Sequence, residues 1–102
     1  MNKIFYGGIF MEEESLRENG IYHPIKIDYY KTEETNEKDI FKYGIEIVKT
    51  EYKEENNNIE VNKMYKISNK EQEVEEILNI LKSNQVTTIG AEDIVSDFLY
   101  KF

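Results

Sequence analysis

The sequence predicts a small α+β domain, in which a three-stranded antiparallel meander is followed by two C-terminal helices packed on one face of the sheet. Between residues 22 and 67, apolar side chains alternate with polar ones, which is the period of half-buried strands. After residue 68, apolar side chains recur every three or four residues, as in amphipathic helices. Strands followed by helices are typical of the α+β class. The short polar breaks between strands favour antiparallel neighbours, because a parallel pair needs a long crossover.

The first 21 residues are the least regular part of the chain and receive no assignment. Two short apolar runs flank Gly7 and Gly8, which favours a tight hairpin, because glycine supplies the positive φ angles that such turns need. A loose arm with exposed aromatic side chains is the alternative, and the simplest interpretation is that these aromatics cover the core. Asn19 and Gly20 predict a turn before the sheet.

The three predicted strands differ in how regularly their apolar and polar residues alternate. The first begins at Pro24, where a missing amide is tolerated, and alternates through Tyr29. In the second, the alternation changes phase at Ile47 and Val48, so we expect a bulge or a strong twist there. The third is expected to present one apolar face, formed by Ile59, Val61, Tyr65 and Ile67.

Two helices are predicted after the sheet. The segment "SNKE" is typical of a capping box, in which the Ser68 hydroxyl accepts a free amide and Glu71 reaches back. Asn84 can end the first helix, because asparagine tolerates the left-handed cap conformation. The apolar stripe of the first helix is Val74, Ile77, Leu78 and Leu81. The stripe of the second is Ala91, Ile94, Val95, Phe98 and Leu99, with Phe102 in register.

One domain accounts for residues 1–102, with a possible arm or extra hairpin over 1–21, the sheet over 22–67 and the helices over 68–102. Burying a large apolar side chain stabilises a fold by roughly 1.5–3 kcal/mol. The positions expected to be most costly to replace are Ile45, Ile77, Leu78 and Phe98.

Composition excludes several classes of function. The net charge of −8, from 21 acids and 13 bases, argues against direct binding to nucleic-acid phosphates or to an anionic membrane surface. It suits a basic partner, although such a charge can also serve solubility alone. There is no cysteine, no stretch long enough to span a membrane and no recognisable signal peptide, so we expect a cytoplasmic protein.

No chemistry of catalysis stands out, so we predict no catalytic residue, no metal site, no cofactor and no enzymatic activity. His23 is the one histidine, and its place before Pro24 suggests a loop or strand-start residue. Motifs for a serine nucleophile, a phosphate-binding loop or a calcium loop are missing. The carboxylates occur in polar runs, which are usually solvated surfaces rather than acid–base pairs.

The last helix carries an acidic edge. Glu92 and Asp93 fall in its first turn, where the helix dipole favours negative charge. Asp97 lies four residues after Asp93, where like charges repel slightly, with Lys101 offering partial relief. This edge is either a contact for a basic partner or a tolerated surface. The candidate partner-binding residues are Asp93, Asp97, Glu71, Glu75, Phe5, Tyr6 and Phe10.

Three segments carry a resemblance: "KYGIEIVKT", "YKIS" and "ILNILKSNQVTTIGAEDIVSDFL". They resemble a family of small uncharacterised proteins from clostridia and related Firmicutes, with a Y-G-I-x-I strand and a terminal N-x-V-T-P…D-(I/V)-V-x-D-F-(L/I) motif. Thr88 departs from that motif, which usually has proline at this position. The resemblance therefore does not fix where the last helix starts. The matching positions, within roughly residues 40–100, are Tyr43, Gly44, Ile45, Ile47, Asn84, Val86, Thr87, Asp93, Ile94, Val95, Asp97 and Phe98. The resemblance implies a fold and a host range but no activity.

Three classes of function remain. The first is an acidic module that regulates or inhibits a protein by occupying its basic surface, one example being a nucleic-acid-binding groove, because carboxylates can replace phosphates as ligands of lysine and arginine. Phage-borne anti-CRISPR and antirestriction proteins work this way, and the N-terminal aromatics would anchor such an interface. The alternatives are a host regulatory or scaffold protein and a small carboxylate-based or metal-dependent hydrolase. The sequence does not decide whether the protein forms a homo-oligomer.

Overall fold

The computed structural model describes residues 1–100, so the predictions for Lys101 and Phe102 lie outside the described residues. Four antiparallel strands form one sheet in chain order, so the α+β class is confirmed and the number of strands is one higher than predicted. The elements are β1 (Asn2–Met11), α1 (Glu13–Leu16), a short 3-10 turn (Arg17–Asn19), β2 (Ile25–Glu33), β3 (Tyr43–Glu51), β4 (Asn58–Ser68), α2 (Glu71–Ser83) and α3 (Ala91–Leu99).

The N-terminal segment is an edge strand of the sheet. β1 pairs along the whole of β2, so the predictions of a hairpin at the glycine pair and of a loose arm are both wrong. Gly7 and Gly8 lie within β1, and the register shifts between Phe5 and Gly7, which makes Tyr6 the extra residue of a β-bulge. Glycine inside a strand often marks such a bulge or a close approach. At Gly7, an added Cβ would lie 2.9 Å from the Lys82 ammonium of α2.

The irregularity in the central strands lies elsewhere than predicted. β3 pairs with β2 without interruption through Ile47 and Val48, so the predicted bulge there is wrong. The shift occurs where Tyr43 pairs with Ser68 and Ile45 with Met64, which leaves extra residues in β4. One of these, Lys66, has a φ of 56°.

This bulge separates the residues of the predicted third-strand face. Ile67 packs against the core. Ile59 and Val61 are 61% and 48% exposed on the sheet surface away from the helices, so the prediction that they share one face with Ile67 is wrong. Met64, on the side of the strand opposite to Ile59 and Val61, packs against the core as well. An apolar strand surface is therefore left without a covering layer.

The core lies between the sheet and the helices. α2 crosses all four strands, whereas α3 packs chiefly against α2. The residues with no exposed surface are Ile27, Tyr29, Ile45, Ile47, Val74, Ile77, Leu78, Leu81 and Ala91. The predicted core positions Ile45, Ile77 and Leu78 are thus confirmed. Phe98 is partly buried and packs against the core, because α3 lies beside α2 and not across the sheet, and its place among the costliest positions stays a prediction.

The ends of α2 also differ from the capping prediction. Lys70 is the N-cap residue, and no side chain caps the helix, so the predicted capping box is wrong. The Ser68 hydroxyl instead accepts the Lys70 amide at 3.0 Å and donates to the Glu73 carboxylate at 2.9 Å. Asn84 does end α2, but the left-handed residue is the next one, Gln85, with a φ of 52°.

Candidate functional site

The predicted partner-binding residues lie on opposite sides of the molecule. We call the solvent-facing sides of α2 and α3 the helical surface, and it carries all four predicted acids. We call the side of the sheet away from the helices the open sheet face. Its residues include Lys3, Phe5, Phe10, Lys26, Asp28, Tyr30, Thr32, Glu46, Val48, Thr50, Ile59, Val61, Lys63 and Tyr65. Because the sheet separates the two surfaces, the predicted acids and aromatics do not form one interface.

Two of the four predicted acids already have a partner within the chain. The Lys31 ammonium on β2 lies 3.2 Å from a carboxylate oxygen of Glu71 and 3.0 Å from one of Glu75. Burial acts to lower the pKa of Lys31, but its hydrogen bonds to Glu75 and Glu71 outweigh this and hold the pKa above its usual value. The charge of this pair of glutamates is therefore partly compensated.

The acids of α3 are more available. Glu92 and Asp93 lie in the first turn of α3, as predicted, and both are exposed. Asp97 is exposed one turn later. None of the three forms an ion pair within residues 1–100, and the same holds for the exposed Glu76 on α2.

Tyr6 faces away from the other predicted aromatics. Its hydroxyl donates a hydrogen bond to the side-chain oxygen of Asn79 on α2. This contact ties the bulge of β1 to the helical layer. Phe5 and Phe10, by contrast, lie on the open sheet face, where Phe5 meets Tyr30 edge to face with ring centroids 5.6 Å apart.

The open sheet face contains a charged cluster that sequence reasoning did not find. Glu46 on β3 is only 4% exposed, although it lies on the uncovered side of the sheet. The Lys3 ammonium on β1 donates to Glu46 at 2.9 Å and lies 4.6 Å from the centre of the Tyr30 ring. The Tyr65 hydroxyl on β4 donates to Glu46 from the other side. The cluster therefore links all four strands.

The hydrogen bonds of this cluster favour the charged form of Glu46. Burial acts to raise the pKa of this carboxyl, but hydrogen bonds from Tyr65 and Lys3 outweigh it and hold the pKa below its ordinary value of 4.5. The hydrogen bond to Glu46 raises the pKa of Tyr65 to about 12. The residues involved are far apart in sequence, and the alternation pattern marked Glu46 only as a polar position in a strand.

We expect Glu46→Gln to weaken the acid sensitivity of folding. A carboxyl with a depressed folded-state pKa contributes stability that is present above its unfolded-state pKa and is lost as the pH falls through the folded-state value. Urea denaturation from about pH 5 to pH 3 should therefore show a shallower loss of unfolding free energy in Glu46→Gln than in wild type. Exposed Glu76 offers the matched control, and Glu76→Gln should retain the wild-type slope. An unchanged slope in Glu46→Gln would contradict this role.

A second polar group lies at the end of the sheet. The His23 Nε2 atom is 2.9 Å from one carboxylate oxygen of Glu51, and the Lys53 ammonium lies 3.6 Å from the same oxygen. The other carboxylate oxygen of Glu51 lies 3.1 Å from the Lys49 ammonium. Burial acts to raise the pKa of Glu51, but hydrogen bonds from Lys49 and His23 outweigh it and lower the pKa. His23 lies in the loop two residues before β2, which agrees with the sequence prediction, whereas its glutamate partner was missed.

The neighbouring groove provides no recognisable reaction centre. It is lined by Glu13, Tyr22, His23, Pro24, Tyr52, Lys53, Glu54, Glu55 and Asn56. Serine, threonine and cysteine are missing from this lining, so the hydroxyl groups beside His23 there are those of Tyr22 and Tyr52. Among residues 1–100, no group of three or more histidine, aspartate and glutamate side chains is arranged to hold a metal ion. The His23–Glu51 contact anchors the start of β2 to the end of β3.

The described part of the chain also contains no helix with the length and apolar content needed to cross a membrane. Fold and surfaces together define a two-layer α+β protein with an acidic helical side and an uncovered sheet side. The chain belongs to a family of unknown function (DUF6514), whose model matches residues 9–101. The match begins within β1, so the family pattern extends further towards the N-terminus than the resemblance over residues 40–100. No curated protein and no solved structure shows significant similarity to the chain.

Proposed function

We propose that the protein is a non-catalytic binding module that engages a basic surface of a protein partner through its helical surface. The main support for this proposal is the negative charge of the helical surface, because residues 71–99 contain seven carboxylates and one lysine. Carboxylates held on helices can form charge-assisted hydrogen bonds with lysine and arginine. A groove that otherwise binds phosphates is a surface of this kind, and its occupation would inhibit nucleic-acid binding by the partner.

The contacts within the chain refine which acids would bind. Glu92, Asp93 and Asp97 on α3 are exposed, whereas Glu71 and Glu75 share the charge of Lys31. We therefore assign the larger contribution to α3. Phe5 and Phe10 would take no part in this contact, because they lie beyond the sheet.

Ile89 supports the same assignment with an apolar group. It lies in the connection between α2 and α3 and is 83% exposed. Protein interfaces usually combine an apolar centre with a polar rim. Ile89 beside the acids of α3 would provide such a centre, a role that the sequence analysis gave to the N-terminal aromatics.

The test is a capture experiment with wild type and two charge-matched variants. We expect wild type to retain a nucleic-acid-binding protein from host lysate and to release it at about 0.5 M salt, because exposed charge contacts are screened. Asp93→Lys/Asp97→Lys should fold normally but lose at least about tenfold in affinity, since attraction becomes repulsion. A nucleic-acid oligonucleotide should compete with the wild-type protein for the partner.

Glu14→Lys/Glu18→Lys is the matched control. These two exposed acids have the same four-residue spacing and the same charge change, but they lie between β1 and β2. The control should keep its affinity within about threefold if the helical surface is the contact. Equal losses in both variants, or capture of a nonbasic partner that resists salt, would contradict the proposal.

A further inference from the structure

The open sheet face exposes large apolar side chains on a side where an antiparallel sheet usually meets water with polar ones. Phe5 is 57% exposed and Phe10 is 58% exposed, and both lie on this face with the exposed Ile59 and Val61. Val48 on the central strand pairs with Val61, which joins the apolar positions across β3 and β4. Lys26 and Asp28 of β2 lie between the apolar side chains of β1 and those of β3 and β4. Several large exposed apolar side chains on one face are typical of an interaction site.

A buried carboxylate on the same face lacks a hydrogen-bond donor. Oδ1 of Asp28 is inaccessible to solvent and has no hydrogen-bond partner within residues 1–100. The ammonium of Lys26 is 3.7 Å from it, too far for a hydrogen bond. Because this oxygen has no accessible surface, its charge is balanced by the nearby Lys26 ammonium of the same chain and not by a hydrogen bond.

The charge of this face also differs from that of the whole protein. The chain carries a net charge of −8, yet the open sheet face holds the three lysines Lys3, Lys26 and Lys63 against the two acids Asp28 and Glu46. A strongly basic partner is therefore not favoured here. The face best fits a surface that exposes apolar side chains and is close to neutral.

We propose that a second copy of this chain covers the open sheet face, so that two sheets pack face to face in a homodimer. The second copy presents the same surface, with exposed apolar side chains and almost no net charge. The two helical surfaces would then point outward, roughly 30 Å apart, from a sheet spacing of about 10 Å and a helix layer of about 10 Å on each side. This distance is about three Debye lengths at 0.1 M salt, so repulsion between the acidic surfaces is largely screened.

The size of the face suffices for a dimer. Four strands about 4.8 Å apart and about 30 Å long present roughly 600 Å² per copy, or about 1,200 Å² in total. That area lies at the lower end of the range for specific interfaces, so we expect a dissociation constant in the micromolar range. Pairing through the sheet edges is disfavoured, because β1 has a bulge at Tyr6 and β4 has one at Lys66.

The test is sedimentation equilibrium of the full chain over a wide concentration range. We expect wild type to approach twice the monomer mass with increasing concentration and to remain dimeric in high salt, because apolar burial is not screened. Ile59→Asp and Val61→Asp should each weaken dimerisation by at least about tenfold, since each would bury an unpaired charge at the interface. Both side chains are exposed in the monomer, so circular dichroism should show a retained fold.

Ile89→Asp is the matched control. It introduces the same change at an exposed isoleucine, but on the helical side of the molecule. The control should dimerise like wild type. A wild-type protein that stays monomeric at all concentrations would overturn the proposal, and so would equal weakening by Ile89→Asp and Ile59→Asp. Because the helical surface takes no part in this dimer, failure here would leave the proposed binding of a basic partner unaffected.

Discussion

Replacing Gly44 with alanine is expected to abolish or severely weaken the fold. A Cβ at this position would lie 2.5 Å from the carbonyl oxygen of Met64, 2.7 Å from Oγ1 of Thr32 and 2.7 Å from Cα of Tyr65. Two of these neighbours are backbone atoms of β4, so the conflict cannot be relieved by rotating a flexible side chain. The strands would have to separate at the bulge where β3 and β4 change register.

The expected cost follows from this rigidity. Overpacking in a core typically costs about 1–3 kcal/mol and occasionally more. We expect at least about 3 kcal/mol for Gly44→Ala, because the shift would also move Tyr65 away from Glu46. Small domains have a total stability of only about 5–15 kcal/mol, so the loss should be evident in urea denaturation followed by circular dichroism.

Gly90→Ala is the control for Gly44→Ala. A Cβ at Gly90 would meet only a methyl group of Val86, at 3.9 Å, which is an ordinary contact. As Gly90 is the N-cap residue of α3, the substitution should cost no more than about 1 kcal/mol. If Gly44→Ala unfolded at the same urea concentration as wild type, the close approach of β3 and β4 would be contradicted.

Leu78→Asp is expected to unfold the domain. Leu78 has no exposed surface and lies at the centre of the layer that α2 packs against the sheet. An aspartate there would lose the apolar contacts and bury a charge without a partner, which is among the most costly changes a core can undergo. The more conservative Leu78→Ala should keep the fold but lose about 2–5 kcal/mol of unfolding free energy.

Ile80→Asp controls for the effect of a charge on α2 itself. Ile80 lies two residues from Leu78 on the same helix, and its side chain is exposed. The variant should retain a cooperative thermal transition close to that of wild type. A native transition in Leu78→Asp, or equal damage by Ile80→Asp, would contradict the packing of α2 on the sheet.

The helices were predictable because their burial depends on local spacing. The four apolar positions expected to form the stripe of the first helix are the four buried residues of α2. A period of 3.6 residues places them on one side whatever they pack against. The first strand of the predicted meander was equally predictable, since Ile25, Ile27 and Tyr29 alternate with more polar residues and are all buried.

The N-terminal strand was not predictable on the same basis. Gly7 and Gly8 within an apolar run are compatible with a turn and with a bulged strand, and local sequence does not separate the two. The pairing with β2 selects the strand, because β2 presents a full edge of unpaired backbone groups to this segment. In β4, pairing with β3 places Ile59 and Val61 on the uncovered side, and the bulge at Lys66 places Ile67 on the core side.

The candidate sites likewise combine features that the sequence predicted with features that depend on the tertiary structure. The exposure of Asp93 and Asp97 followed from their position off the apolar stripe of α3. The separation of these acids from Phe5 and Phe10 depends on which side of the sheet the helices cover. The cluster around Glu46 joins residues 43 and 19 positions away, so no local pattern contained it.

Local periodicity was therefore enough to specify the α+β class, the helical stripes and the acidic surface of this protein. Those features depend on neighbours within a few residues, where side-chain direction follows backbone geometry. The fourth strand, the bulges and the uncovered apolar face depend on pairing between distant segments. A shift of one residue in such pairing exchanges the two faces of a strand, and the energy that selects the register comes from the partner strand and the packed core.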